Sequence, residues 1–308
     1  MGILYGLLER YHPMNETSNT TTSITTTPPL PFSIAIIERG HGPPHSDPLV
    51  EQPHRWYEAA HNNTHHQPNN SSTVELHPGE IMGRKLDVPV GKGLGGSSNI
   101  NACLCMPPLE RDMENWPSPW KTGILPAAKH IQDRLNANGA LHELKNDDAT
   151  TADSSSTTNI SWCNSVSSLV TVDKETGKFV RSNYYNGLLE PLLARHPELQ
   201  QCLHWYRGVQ AERLLVDDTG ARKITGVECR HVRKQKKKND RDGRTDDKLF
   251  CLHATRRIIL CAGAIESPAL LLVSGLGDEP PLQHGIGKNL KDQALLAKAS
   301  LSIPLSLT

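Results

Sequence analysis

The sequence lacks an excess of either charge, because Lys and Arg together number 33 and Asp and Glu together also number 33. This balance gives the chain no overall attraction for nucleic acid, anionic membranes or acidic substrates. No apolar run approaches the roughly 18 to 20 residues of a membrane-spanning helix. The first residues also lack the charged region, apolar core and small-residue cleavage site of a signal peptide. We therefore predict neither a nucleic-acid partner nor a membrane span.

The seven cysteines lack the paired spacing that marks a structural metal site. Their odd number does not suit a closed disulfide framework, so the sequence favours reduced thiols and an intracellular compartment. A stretch rich in Pro, His and Asn contains His61, His65 and His66. A metal site is one interpretation of these histidines, but the composition favours a solvated insert. We predict no metal centre.

Apolar residues are also scarce, at 36% of the 308 residues. Their uneven distribution predicts a globular framework that carries polar, disordered inserts. We predict a short helix and a Thr-rich connector over residues 1–31, a main domain over residues 32–292 and a tail over residues 293–308. The inserts are expected near residues 42–75, 145–168 and 230–248. The third insert contains a lysine run, for which a solvated hairpin tip is favoured over a nucleic-acid patch because nearby aspartates balance its charge.

The most informative stretch covers residues 89–101 and reads Pro-Val-Gly-Lys-Gly-Leu-Gly-Gly-Ser-Ser-Asn-Ile-Asn. Its four glycines allow the backbone to approach another molecule closely, and the serines and asparagines that follow suit the start of a helix. Backbone N–H groups at such a place can bind a phosphate or the polar edge of a ring. A flexible loop between two ordered elements is the alternative, because a glycine-rich motif alone is not specific.

An apolar run at residues 32–37 predicts a buried strand of a parallel sheet, and Glu38 follows at its carboxyl end. A carboxylate at this position can accept hydrogen bonds from the ribose of an adenosine, whereas the simpler interpretation is a solvated glutamate.

A second apolar run, residues 257–262, also predicts a buried strand. Gly263 then turns the chain into a helix for which Ser267 suits the N-cap, Pro268 the first helical position and Gly275 the C-terminal cap. Ligands bind at the ends of such strands in open α/β sheets.

Hydrophobic spacing predicts the other elements of the framework. We expect helices over residues 1–12, 120–131 and 184–193, and strands over residues 203–216 and 224–229 with a turn between them.

The two glycine-bearing stretches, GLGGSSNIN and CAGAIESPALLLVSGLG, occur in this order after the acid-ended strand and before GKNLKD. Together they closely resemble the flavin-dependent glucose-methanol-choline (GMC) oxidoreductases, from about residue 32 to residue 292. The resemblance implies FAD as the cofactor and a doubly wound, Rossmann-like α/β fold that binds it. It also implies hydride transfer from the carbon of a small-molecule alcohol to the flavin, while a base removes the hydroxyl proton.

The resemblance further implies a set of cofactor-binding residues. Glu38 would hold the adenosine ribose, the turn at Gly95, Gly96, Ser97 and Ser98 together with Asn101 would lie along the flavin, the backbone around Ala211 would meet the adenine, and Ala262 and Gly263 would close on the dinucleotide.

The chain departs from the family pattern at both ends. No G-x-G-x-x-G turn follows a first strand, so we expect an FAD-binding portion truncated at both ends, a fold that lacks its first strand, and reduced FAD affinity. Neither His253 nor His284 matches the family's catalytic histidine, and we name no catalytic residue. The expected function is FAD-dependent oxidation of CH–OH groups. The alternative is a non-catalytic remnant of the fold that serves as a structural or interaction module.

Overall fold

The computed structural model describes residues 1–11, 32–41, 48–61, 73–75, 85–87, 89–105, 114–143, 167–217, 223–232, 248–277, 285–288 and 290. These residues form two compact units. The first contains the described residues of Met1–Val209 together with Val232, and the second contains those of Gln210–His231 and the described residues from Lys248 onward.

The described helices of the first unit are α1 (Gly2–Tyr11), α2 (Pro48–Glu51), α3 (Trp56–His61), α4 (Ser118–Ala137) and α5 (Glu190–Arg195). Short 3₁₀ turns cover Pro53–Arg55, Gly96–Asn99 and Pro197–Cys202, and a π-helical turn, Tyr185–Leu189, leads into α5. None of the helices in the described part of the chain combines the length and apolar character needed to cross a membrane.

The described strands of the first unit are β1 (Ile34–Glu38), β2 (Thr73–Glu75), β3 (Lys85–Asp87), β4 (Leu104–Cys105), β5 (His142–Glu143), β6 (Ser167–Ser168), β7 (Val170–Val172), β8 (Phe179–Arg181) and β9 (Leu203–Arg207). β1 pairs in parallel with β9, in a register that sets Glu38 opposite Arg207. The other pairs are antiparallel: β2 with β3, β6 with both β4 and β5, and β7 with β8.

The hydrophobic core of the first unit holds this parallel pair in place. Ile34 and Ile36 of β1 and Trp205 of β9 pack against a cluster of buried side chains. Helices α1, α4 and α5, the π-helical turn and the 3₁₀ turn Pro197–Cys202 supply the largest of these side chains, which are Tyr5, Leu8, Leu135, Leu188, Leu189, Leu192 and Leu199. Burial of these apolar surfaces fixes the position of β1 and therefore of the carboxylate at its end.

Apart from Val209, the second unit contains a three-stranded sheet in the order β10 (Val209–Val216), β11 (Ile224–His231) and β12 (Leu249–His253), followed by α6 (Gly263–Val273). β11 and β12 are antiparallel, as expected for strands on either side of a hairpin tip. The backbone N–H of Asp217 donates to the carbonyl of Lys223 at 2.8 Å and closes the predicted turn between β10 and β11.

Several predicted elements are confirmed. The helix expected at residues 1–12 is α1, the strand expected at residues 32–37 is β1, and the helix expected at residues 120–131 lies within α4. The spacing at residues 184–193 is helical as predicted, although its first turn is π-helical. The mixture of helices and strands, with a parallel pair that joins distant parts of the chain, confirms the α/β class.

The structure corrects the predicted extent of two strands. The strand expected at residues 203–216 is divided by Gly208, whose φ of 67° turns the chain between β9 and β10. Residues 257–261 form no strand, and most of their side chains are exposed. The predicted buried strand at residues 257–262 is therefore wrong. An apolar composition is not sufficient for a strand, because the backbone also needs a neighbouring strand with which to form hydrogen bonds.

The predicted start of α6 is also wrong. The helix begins at Gly263, so Ser267 and Pro268 lie inside its first two turns. Gly275 does end the helix: it has a φ of 73°, and the N–H groups of Gly275 and Leu276 donate to the carbonyls of Leu272 and Leu271. This pair of hydrogen bonds is a Schellman motif.

Part of the insert predicted near residues 42–75 is helical. Val50 in α2 and Ala59 and Ala60 in α3 are buried, so this stretch is not a solvated loop. The Thr-rich connector, His65, His66, His284, the lysine run at residues 234–238, residues 145–166 and the tail over residues 293–308 lie outside the described residues.

Candidate functional site

The carboxyl end of β1 meets the glycine loop, defined here as residues 91–101. Oε1 of Glu38 accepts a hydrogen bond from the backbone N–H of Gly93 at 2.7 Å and a second from the N–H of Gly40 at 2.8 Å. The backbones of Gly40 and Gly93 are so close that a Cβ at Gly40 would overlap the backbone of Gly93. The structure therefore brings together two features that lie 55 residues apart in the sequence.

The Glu38 carboxyl is half-buried, and burial raises its pKa while the two backbone N–H groups oppose that rise. Its second oxygen, Oε2, accepts no hydrogen bond from the described residues. A carboxylate with one oxygen held by the backbone and the other available is suited to accept a hydrogen bond from a ribose hydroxyl.

The glycine loop depends on backbone angles that residues with a side chain rarely adopt. Gly93, Gly95 and Gly96 have φ values of 107°, 110° and 59°. The sequence predicted that a polar side chain caps a helix at this point. The structure instead has a single 3₁₀ turn, Gly96–Asn99, and its N-cap residue, Gly95, has no side chain that could form a capping hydrogen bond. The loop is closed by its serines instead: Ser97 Oγ accepts from the Gly91 N–H at 3.3 Å, and Ser98 Oγ donates to the Gly95 carbonyl at 2.6 Å.

The two adjacent glycines of this turn have different surroundings. A Cβ at Gly95 would lie 2.5 Å from Asn99 Oδ1, so the packing of the loop itself requires glycine there. A Cβ at Gly96 would meet no atom of the described residues within 4 Å. The open side of the loop is therefore at Gly96, where another molecule can approach the backbone.

A layer of buried polar side chains supports the loop from behind. The Arg181 side chain at the end of β8 donates from Nη1 to the carbonyl of Asn101 at 2.6 Å, to Asn101 Oδ1 at 3.0 Å and to the carbonyl of Ser98 at 3.2 Å. Asn183 Nδ2 donates to Asn99 Oδ1 at 2.7 Å, and Asn99 Nδ2 donates to the Leu94 carbonyl at 3.0 Å. Sequence reasoning missed Arg181 and Asn183, because no motif or spacing sets them apart from surface residues.

The remaining predicted cofactor residues lie in the second unit. Ala211 is a partly buried residue of β10. Ala262 precedes α6, and its N–H donates to Ser267 Oγ at 3.0 Å. Gly263 begins α6 with a φ of 93°, and a Cβ there would lie more than 4 Å from every described neighbour. The roles of these residues toward a cofactor remain predictions.

No described residue is assigned as the catalytic base, which agrees with the sequence-based prediction only in naming none. His253 is the last residue of β12 and is exposed. Within the described part of the chain, no cluster of three or more His, Cys, Asp or Glu side chains could hold a metal ion.

A family model described as GMC oxidoreductase matches residues 19–295 of this chain. An uncharacterized GMC-type oxidoreductase from Mycobacterium bovis is 26% identical over 239 residues, which cover 67% of this chain and 40% of the relative. The oxygen-dependent choline dehydrogenase of Brucella anthropi is 23% identical over 285 residues, which cover 85% of this chain and 48% of that protein. The chain thus spans about two-fifths to one-half of the length of these curated relatives.

Among solved structures, the chain is similar to the crystal structure of pyridoxine 4-oxidase from Mesorbium loti. The sequence identity is 18% and the TM-score is 0.48, over 79% of this chain and 47% of that chain.

Proposed function

Because this chain belongs to the GMC oxidoreductase family, whose members bind FAD, we propose that it binds FAD and supplies the FAD-binding part of an enzyme that oxidises small-molecule alcohols. In this proposal the CH–OH group of the alcohol is the hydride donor. The activity, the alcohol and the electron acceptor belong to the whole protein and are part of the same proposal.

One observation of the structure carries the proposal: the Glu38 carboxylate and the glycine loop meet at the end of β1. The hydrogen bond from Gly93 holds one carboxylate oxygen, and the other oxygen accepts nothing from the described residues. The N–H groups of Leu94 and Gly95 also make no hydrogen bond to the described residues. A carboxylate oxygen held against the loop and N–H groups of the same loop that make no hydrogen bond to the described residues fit a ligand with both hydroxyl groups and polar acceptor atoms, as FAD has.

When bound, FAD supplies the hydride acceptor for oxidation of the alcohol carbon. The part of the chain described here contributes binding and orientation. Glu38 would accept a hydrogen bond from the ribose, and the open face at Gly96 would let the flavin approach the backbone. Asn101 lies at the end of the same loop and would also face the cofactor. Because buried side chains already fix the loop, little of its backbone freedom remains to be lost when the cofactor binds.

The substrate class is supported by the family and by the name of one relative. The relative from Brucella anthropi is named for its action on choline, a small alcohol. We therefore propose a small-molecule alcohol as the substrate of the whole protein, and no described residue is assigned as the base.

The direct test is titration of the purified chain with FAD, followed by flavin fluorescence and visible absorbance. We expect saturable binding and a bound-flavin spectrum. A protein that is purified without flavin and takes up none on titration would refute the proposal. That result would favour the alternative, a structural or interaction module that keeps the fold without the cofactor.

A further inference from the structure

Arg181 is a charged residue in a place where charge is costly. Its side chain is among the largest fully buried ones, with a relative exposure of 2%. No carboxylate of the described residues pairs with it, and burial lowers the pKa of its guanidinium. Its Nη2 atom is buried and has no hydrogen-bond partner in the described part of the chain. A buried cation without a counter-ion destabilises a fold unless its hydrogen bonds compensate.

The hydrogen bonds of Arg181 connect three segments of the first unit. Nε donates to the carbonyl of Val50 in α2 at 2.7 Å, while Nη1 donates to the Ser98 and Asn101 carbonyls and to Asn101 Oδ1. The acceptors at Ser98 and Asn101 are on either side of the end of the 3₁₀ turn. One planar guanidinium therefore joins β8, α2 and the glycine loop.

We propose that Arg181 is a positioning residue whose guanidinium holds the glycine loop in the conformation that receives the flavin. This inference rests on the proposed FAD-binding function and deepens it. Arg181 acts through the backbone of the glycine loop. The unfavourable free energy of burying its charge is offset by the loop conformation that its hydrogen bonds fix.

The shape of the guanidinium is essential to this role. Nε and Nη1 donate in different directions from one rigid plane, so the side chain can reach Val50 and the loop at once. A lysine would keep the charge but has a single terminal nitrogen on a flexible stem. Arg181→Lys should therefore release one of the two contacts, and Arg181→Met should release both.

The first experiment measures how fast the backbone N–H groups of the glycine loop exchange in the absence of cofactor. Hydrogen–deuterium exchange of apo protein is compared for wild type, Arg181→Lys, Arg181→Met and a core control, Leu135→Ala, which removes a side chain only 2% exposed in α4. We expect exchange in peptides that cover residues 94–101 to rise roughly tenfold in the Arg181 variants, because charged hydrogen bonds are lost there. In Leu135→Ala the same peptides should change no more than the rest of the first unit.

The second experiment measures FAD affinity in the same proteins. We expect a roughly tenfold or larger increase in Kd for both Arg181 variants at temperatures where they remain folded, and an altered visible circular-dichroism band of the bound flavin. Leu135→Ala should lower the melting temperature but keep the affinity and the band. If Arg181→Met does not fold, Arg181→Lys and Arg181→Gln give the comparison.

The outcomes separate this inference from the proposed function. Loop exchange that stays unchanged in every Arg181 variant that folds overturns the inference whether or not FAD binds. Increased loop exchange with unchanged FAD affinity and spectrum also overturns it, while leaving FAD binding intact. Absence of FAD binding by wild type overturns the proposed function and with it the flavin part of the inference.

Discussion

Replacement of Gly96 by alanine separates backbone strain from contact with the cofactor. Gly96 has a φ of 59°, and a Cβ there would meet no atom within 4 Å in the part of the chain that the structure describes. The cost to the free energy of unfolding is therefore only that of an L-residue in left-handed backbone, about 1 to 2 kcal/mol. Gly139, at the end of α4, is a matched control, since its φ is 65° and a Cβ there would also meet nothing within 4 Å.

Both variants should lose the same stability, but only Gly96→Ala should lose FAD affinity. A methyl group on the open face of the loop would displace the flavin from the backbone, and loss of about 1.4 kcal/mol of binding would raise Kd tenfold. Gly96→Val should be at least as damaging. The assay is fluorescence titration with FAD at a temperature where both proteins are folded, alongside urea unfolding. If Gly96→Ala and Gly139→Ala bind FAD equally, the placement of the flavin at Gly96 is wrong.

Three further predictions concern the strand end and the packing around it. Glu38→Gln keeps an oxygen that can accept from the backbone N–H groups but replaces Oε2 by an NH₂ donor. We therefore expect weaker FAD binding with little loss of stability at neutral pH. An unchanged Kd for FAD would contradict the ribose role of Glu38. In Glu9 burial raises the carboxyl pKa, but hydrogen bonds from neighbours including Tyr5 outweigh it and the net shift is downward. The ionised form therefore stabilises the fold above the unfolded pKa, and this contribution should disappear as the pH falls from the unfolded pKa through the lowered folded pKa. The free energies of unfolding of wild type and Glu9→Gln, measured in urea, should converge at low pH, and parallel curves would refute the assignment. Gly208 has a φ of 67°, and a Cβ there would overlap the ring of His41. Gly208→Ala should therefore lower the free energy of unfolding by more than the roughly 1 to 2 kcal/mol of backbone strain alone. The added substitution His41→Ala should recover the steric part, and no recovery on urea unfolding would show that the ring moves aside in Gly208→Ala.

Much of the local structure could be predicted because its causes are local. Apolar residues at helical spacing produce α1 and α4, and the compact run before Glu38 produces β1. The glycines at positions 93, 95 and 96 are necessary for the backbone angles found there. Short-range signals fail where a partner decides the outcome. Residues 257–261 are apolar but pair with nothing in the described part of the chain, and residues 48–61 belong to a stretch rich in Pro, His and Asn but contain buried helical residues.

The sequence by itself determined the α/β class, the family resemblance and the identity of the loop and of Glu38 as candidate cofactor residues. Only the tertiary structure decided that β1 pairs with β9, that Gly208 ends that strand, and that the Glu38 carboxylate bonds to Gly93. It also revealed Arg181, whose four acceptors come from Val50, Ser98 and Asn101. The physical reason is that strand pairing and burial of a charge depend on groups that are distant in sequence, and no pattern within a short window contains them.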